Sequence, residues 1–348
     1  MLKVCEETVN FGAIVGNPPY QVSDGGAQTS AKPIYHHFVL LGKQLSNNYT
    51  SFITPTRWFA GGKGLDSFRE YMLNDSSIME LYDFLTPDDI FPNTNNRGGV
   101  CYFISDINKN KLEVKVVTNR NNKIISNVKR KLLIKGIDIF IRDSLGIKII
   151  EKIFSKDNTK SLSLYISTRK PFGLEGNFIK DQNFRKEPNG MKKPVVCIGK
   201  GQQIGYVEHN LIEKNIHWVD SWKVFIPRAN NIATELNDDN LNAFVGTTNM
   251  ICTESYLSCF GDDNLTEIST KNAVKYMMTK FARYLHSLAK SSQDATSKTF
   301  RFVPMQDFTE KSDIDWSKSI KEIDEQLFDK YELTSTEREH IKSSIKEM

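Results

Sequence analysis

Apolar and polar positions along the first hundred residues alternate in the rhythm of strands and helices taking turns. Residues 13–16 form a short continuous apolar run, the pattern of a buried strand. Across 33–45, Ile34, Phe38, Leu41 and Leu45 recur at helical spacing, which predicts a helix with those side chains inward. Residues 49–55 read as a second strand, followed by the glycine-rich turn Gly61-Gly62-Lys63-Gly64 and a helix over about 65–73. Further strands are expected at 78–84 and 100–105, with a loop over 86–99 between them. This alternation predicts an α/β fold in which helices cover both faces of a doubly wound sheet.

Beyond 106 the pattern changes to short strands with irregular connections. Residues 194–198 and 204–207 flank Gly199-Lys200-Gly201-Gln202-Gln203, a hairpin tip rich in donors, and 222–228 is a further strand. A single helix is predicted over 272–288, with Val274, Met277, Phe281, Leu285 and Leu288 on one face. Near the end, Asp315 is expected to cap a helix bearing Ile320, Ile323 and Leu327, and Thr334-Ser335-Thr336-Glu337 fits a capping box. No internal repeat is apparent.

Composition narrows the possibilities only slightly. At 348 residues the chain is long enough for two domains, each able to bury a core. Its apolar runs are far shorter than a bilayer span, and its start lacks the charged-then-apolar layout of a signal peptide, so no membrane partner and a cytoplasmic location are expected. Cys5, Cys101, Cys197, Cys252 and Cys259 are odd in number, contain no Cys-x-x-Cys pair and read as reduced, buried thiols. The net charge of +4 does not by itself imply a polyanion partner. Between Ile107 and Gly136, however, Lys109, Lys111, Lys115, Arg120, Lys123, Lys129, Arg130, Lys131 and Lys135 face a single acid, Glu113. Such a stripe can track phosphates or remain a solvated face.

The most specific chemistry lies where the first strand ends, in Asn17-Pro18-Pro19-Tyr20. An amine attached to an aromatic ring is a poor nucleophile because its lone pair is delocalised. Two fixed acceptors, the Asn17 side-chain oxygen and the Pro18 carbonyl, can each take one amine hydrogen and localise that pair. Pro19 stiffens the loop, and Tyr20 offers a flat face to a base that has left its stack.

This motif after an apolar strand resembles motif IV of the amino-group methyltransferases, above all the adenine-N6 DNA methyltransferases. Residues 52–59 and 91–100 look like later motifs of the same enzymes, with Trp58 as a wall of the target-base pocket and Phe59 as core. The later region, with 195–228 at its centre, looks like a target-recognition domain of the type IIG restriction-modification family. The resemblance implies S-adenosylmethionine as methyl donor, with Asn17 also touching it, and double-stranded DNA as substrate. Lys200, Gln202, Gln203 and Arg228 are the expected DNA contacts, because long donors on loops and strand ends reach base edges or phosphates. The implied layout is a partial Rossmann-like catalytic half at 1–106, a basic linker at 107–160, a mixed α+β recognition domain at 161–310 and C-terminal helices at 311–348.

One part of the family pattern is missing. The cofactor loop normally precedes the catalytic strand, and the sixteen residues before Asn17 do not hold it. Gly12-x-x-x-Gly16 lies within the catalytic strand, and Gly199-x-Gly201 lies between hairpin strands, so neither is a convincing substitute. A segment of a longer enzyme, a subunit completed by an N-terminal half or restriction subunit, and a degenerate gene product all remain open. The isolated chain is expected to methylate DNA poorly or not at all.

Other chemistries stand beside this one. Asp88 with Glu113 and Lys115 has the residue types of a magnesium-dependent restriction nuclease. A protein-glutamine methyltransferase shares the Asn-Pro-Pro-Tyr motif, and a pure DNA-specificity module would need no catalysis. Adjacent His36 and His37 are expected to point apart on a helix, which suits packing better than metal ligation, and His209, His217, His286 and His340 lack ligand spacing, so no metal site is expected. No phosphate loop and no Gly-x-Ser-x-Gly elbow occurs.

Overall fold

The computed structural model describes residues 10–22, 32–92, 98–156, 159–232, 238–290 and 294–348. They fall into two compact units, Met1–Ser144 and Leu145–Met348. The first contains β1 (Phe11–Gly16), β2 (Gln21–Val22), β3 (Lys32–Pro33), α1 (Tyr35–Leu45), β4 (Ser46–Pro55), α2 (Asp66–Asn74), β5 (Ile78–Phe84), β6 (Val100–Asp106), β7 (Glu113–Arg120) and β8 (Lys123–Lys131).

Six of these strands form one mixed sheet in the order β1-β4-β6-β5-β7-β8. β1 runs parallel to β4 and β5 parallel to β7, while β6 and β8 run antiparallel to their neighbours. The alternation of each strand sends Phe52, Phe103, Leu81 and Val116, which are cross-strand partners, to one face. Tyr35 and Val39 of α1 and Phe68, Met72 and Leu73 of α2 join them in one core. On the opposite face, the ladder of Ile53, Tyr102 and Tyr82 is only half-buried. Both helices of the described unit thus pack on one side, and the two-sided winding expected from the alternation is not what these residues form.

α1 buries Tyr35, Val39 and Gly42, whereas Phe38 and Leu41 remain 43% and 51% exposed. The reason is close packing: a Cβ at Gly42 would lie 2.5 Å from the Phe52 ring, so the helix meets the sheet along its smallest residue. Residues 107–160 are no linker, because β7 and β8 pair as a hairpin at the far edge of the sheet. Its turn is Asn121-Asn122, both at positive φ, as a tight hairpin requires.

The second unit contains α3 (Ser144–Ser155, its first residue at the boundary), β9 (Pro194–Gly199), β10 (Gln203–Glu208), β11 (Lys223–Pro227), β12 (Phe244–Gly246), β13 (Met250–Cys252), β14 (Tyr256–Cys259), α4 (Glu267–Met278), α5 (Lys280–Ala289), α6 (Ile320–Lys330) and α7 (Ser335–Ser344). Its two three-stranded sheets run β10-β9-β13 and β12-β11-β14. Val195, Cys197, Phe225, Ile251 and Tyr256 pack in a core between them. The expected hairpin is present, with Gln203 opposite Gly199 and Glu208 opposite Pro194. The expected helix over 272–288 is instead broken in two, because Thr279 turns to extended backbone and caps α5 by accepting the Ala282 N–H. Ser319 rather than Asp315 caps α6, sharing a capping box with Glu322, and Thr334 and Glu337 form the box expected for α7. The recognition region and the C-terminal helices lie within the same unit. Cys101, Cys197, Cys252 and Cys259 are buried and free, while Cys5 lies outside the described residues.

Candidate functional site

The motif loop leaves the sheet at the carboxyl end of β1, where Gly16 stands opposite Phe52 of parallel β4. A Cβ at Gly16 would lie 2.9 Å from the Phe52 ring, so a glycine there lets the chain pass close over the core just before the motif. Asn17 is exposed, Pro18 is buried, Pro19 is exposed and Tyr20 is half-buried. Behind them the chain is clamped. Gln21 and Val22 pair with Pro33 and Lys32, and the Ile34 N–H donates to the Tyr20 carbonyl at 3.2 Å. The loop therefore sits at the carboxyl ends of two parallel strands, the position that ligands favour in open α/β sheets.

Tyr20 meets Tyr35 edge to face, with ring centroids 6.4 Å apart. Its hydroxyl is buried without a partner among the described residues, and burial, helped by the Cys101 thiol, pushes its pKa up to about 12. His36 Nδ1 is also buried without a partner among the described residues, while the Tyr35 hydroxyl lies against the Trp58 backbone and the Trp58 indole nitrogen against the Cys101 thiol. Phe68 stands at the centre of this group, with the rings of Tyr35, His36 and Trp58 5.8 to 6.1 Å away. The unpaired Tyr20 hydroxyl and His36 Nδ1 are costly in a buried setting. Trp58 is fully enclosed and packs on Phe59 and Phe68, so it presents no face to a base in this conformation and is core here. Phe59 is core as expected, against Phe140. His36 and His37 do not point apart, since their rings lie 3.9 Å from one another. Burial, and His37 beside it, lower the His36 pKa.

Around the loop, Thr56 donates its hydroxyl to the Gly98 carbonyl at 2.7 Å, tying the chain after β4 to the residue pair that leads into β6. Arg142 grips the fully buried Asp83 with Nε at 2.7 Å and Nη2 at 2.5 Å, and donates Nη1 to the Gly98 carbonyl at 2.6 Å. This buried pair fixes the same segment from the other side. It was invisible in sequence, because Asp83 and Arg142 lie 59 positions apart with no motif joining them. Residues 93–97 of the loop that resembled a base-covering motif lie outside the described residues.

The nuclease constellation does not assemble. β5 and β7 are parallel with Phe84 opposite Asn119, and Asp89 beside Asp88 accepts the Asn122 N–H at 3.0 Å. Asp88 thus sits at one end of β7 and Glu113 at the other, about 20 Å away at the rise of a strand, while Lys115 is paired with Glu80 at 3.3 Å. Carboxylates that far apart cannot share an ion. Among the described residues no group of three or more His, Cys, Asp or Glu is placed to hold a metal.

The basic stripe is partly consumed by the fold. Lys109 Nζ donates to the Ile78 and Lys111 carbonyls at 2.5 and 2.6 Å. Arg130 bonds the Ile141 carbonyl at 2.5 Å and lies 4.6 Å from the Phe140 ring centroid. Lys123, Lys129 and Lys131 remain exposed on β8, where charge discourages another strand from pairing with the sheet edge.

Of the expected DNA contacts, Lys200, Gln202 and Gln203 are exposed together at the β9–β10 tip, where Gly201 and Gln202 adopt φ of 71° and 60°. Arg228 is not a free donor. It is held by Asp294 at 3.2 Å and by the Glu254 carbonyl at 3.4 Å. Among the described residues, no helix is long and apolar enough to cross a membrane.

Asn-Pro-Pro-Tyr thus stands at the carboxyl ends of parallel strands in a mixed sheet, and the chain is similar to several known proteins. Residues 2–91 match the family described as Eco57I restriction-modification methylase, so the resemblance read from the motif holds over that segment. Over 161 residues the chain is 29% identical to a protein of Mycoplasma pneumoniae (strain ATCC 29342 / M129 / Subtype 1) described as an uncharacterized adenine-specific methylase. That match covers 44% of this chain and 38% of the relative. Among solved structures, the type IIG restriction endonuclease BpuSI is similar at 14% identity over 97% of this chain and 53% of its own, with a TM-score of 0.37. The type IIL restriction-modification enzyme MmeI, solved in complex with DNA, is similar at 12% identity over 83% of this chain and 45% of its own, with a TM-score of 0.38. The chain spans about half or less of the length of each of these relatives.

Proposed function

We propose that this chain carries the catalytic loop and a recognition region of an adenine-N6 DNA methyltransferase in a restriction-modification system. The observation that supports it most is the placement of Asn17, exposed and ahead of a clamped Pro-Pro-Tyr segment, at the carboxyl ends of β1 and β4. The Asn17 side-chain oxygen and the Pro18 carbonyl accept the two hydrogens of the adenine amine and draw its lone pair onto nitrogen. Tyr20 stacks on the base once it has left the duplex, a motion that costs a few kcal/mol and is repaid by the pocket. Lys200, Gln202 and Gln203 contact the duplex from the second unit.

The methyl donor in this reading is S-adenosylmethionine, which supplies an electrophilic methyl group on sulfur. Neither glycine of the catalytic strand opens a cradle for it. The space beside Gly16 is filled by Phe52, and a Cβ at Gly12 would meet only Asn48, 4.0 Å away. In this reading the surface that holds the donor beyond Asn17 is supplied by residues other than these glycines. β1 is well suited to receive them. It is a sheet edge with Val15 80% and Phe11 47% exposed, beside an α1 whose Phe38 and Leu41 also face outward. A further polypeptide segment that pairs with β1 would cover this surface and complete the site.

The test is to map N6-methyladenine in the DNA of the native cell with the gene intact and with Asn17→Ala. Removing one such acceptor costs roughly 100- to 1,000-fold in rate. A methylated sequence motif should disappear in the variant. Unchanged methylation in the variant would overturn the assignment.

A further inference from the structure

The stripe of charge singled out by the sequence is partly spent on structure, and a second set of cations lies in the other unit. In the β10-β9-β13 sheet one side of β10 pairs with β9, and along its outer side runs the segment 181–193. Three contacts hold it there, and a fourth, from Ile179, anchors the chain just before it. At mid-strand, Arg185 and Tyr206 exchange backbone hydrogen bonds of 3.0 and 2.7 Å. Phe184 lies so flat on Gly205 that a Cβ there would come within 2.6 Å of its ring. At the base, the Glu208 carboxylate accepts the Lys192 and Lys193 N–H groups at 2.7 and 3.1 Å, which holds that carboxyl below its usual range. At the tip, Ile179 packs into the space beside Gly199, where a Cβ would lie 2.1 Å from its methyl group.

The backbone is thus tied down while the long side chains stay exposed, with Arg185 Nη1 donating to the Asn189 carbonyl at 3.4 Å. Lys180, Arg185, Lys186, Lys192, Lys193 and Lys200 are all exposed, and none forms an ion pair among the described residues. The acids nearby, Asp181, Glu187 and Glu208, are fewer than the six cations and leave the surface net positive, although Glu208 interacts with Arg185 and Lys192. β10 spans about 17 Å at the usual rise of a strand. That is the axial length of about five phosphates of one DNA strand.

We propose that 180–193 and Lys200 form a rail for the phosphates of duplex DNA, seated beside the hairpin tip. The tip residues Gln202, Gln203 and the 60% exposed Ile204 are then carried into a groove. The rail sets orientation and most of the affinity, and the tip reads sequence. This inference rests on the DNA reading above and says which surface of the second unit meets the backbone.

The experiment is a titration of the full chain with duplex DNA, followed by fluorescence anisotropy over a series of salt concentrations, for the wild type, a K186Q/K192Q/K193Q variant and Gln203→Ala. All four changed residues are exposed, and circular dichroism checks that each variant is folded. The triple variant should bind more weakly at every DNA sequence, with a log–log salt slope smaller by about 2.7, at roughly 0.9 per phosphate contact. Gln203→Ala should keep the slope and alter sequence preference. Wild-type affinity and slope in the triple variant would overturn the rail while leaving the DNA reading intact. Failure of the wild type to bind duplex DNA would overturn both.

Discussion

Tyr20 is held edge-on by Tyr35 with its hydroxyl buried and unpaired among the described residues, so in the proposed reading a move of its ring onto a base would also release a group that is poorly accommodated. An unpaired buried hydroxyl costs about 1–3 kcal/mol, which lowers the cost of that motion. A second buried side chain makes stability depend on pH. His286 is 1% exposed, stacks on Phe300 at 4.1 Å, and burial above all pushes its pKa down to about 3. The folded state keeps this ring neutral, whereas the unfolded chain takes up a proton below about 6.5. Its contribution is therefore present above that value and is lost as pH falls toward 3. Urea unfolding should show the chain less stable at pH 5 than at pH 7.5, with up to about 2 kcal/mol of the loss due to this residue. His286→Phe should flatten the dependence by that share, and an unchanged slope in the variant would refute the argument.

At the scale of elements, the contact between α1 and the sheet is governed by its smallest residue. Alanine is the better helix former than glycine by about 1 kcal/mol. At position 42, however, the added methyl would be driven into the Phe52 ring. Overpacking of this kind costs typically about 1–3 kcal/mol, so Gly42→Ala is expected to lower the urea midpoint despite the gain in propensity. A midpoint equal to or above wild type would show that α1 can shift outward freely. The same contact explains why the periodicity of Ile34, Phe38, Leu41 and Leu45 misled. An apolar stripe marks a face that seeks burial, but it does not say which partner buries it. The break at Thr279 was hidden for a related reason. Val274, Met277, Phe281, Leu285 and Leu288 keep helical spacing across the break, although the chain leaves helical geometry at the cap.

For the whole molecule, the exposed side of α1, the free edge of β1 and the half-buried ladder of Ile53, Tyr102 and Tyr82 are all apolar surface left uncovered by the described residues. If a further segment pairs with β1, Val15→Lys should scarcely change the stability of the isolated chain, since surface substitutions usually stay within about 0.5 kcal/mol. In the native cell it should nevertheless remove the same methylated motif as Asn17→Ala. Retention of full methylation would mean that the β1 edge is not the joining surface.

What the sequence determined by itself was local. The presence, though not the expected burial, of the strand before Asn17, the conformational stiffness of Pro18-Pro19, the hairpin around Lys200 to Gln203 and the capping box at Thr334 and Glu337 each depend on a few neighbouring residues, so their signals survive without knowledge of the rest. Tertiary structure alone decided the long-range matters. It closed Asp83 on Arg142, enclosed Trp58, turned part of the basic stripe inward, parted Asp88 from Glu113 and tied 181–193 along β10. Each of these depends on which distant surfaces meet and how much room they leave, and neither pattern nor spacing encodes that directly.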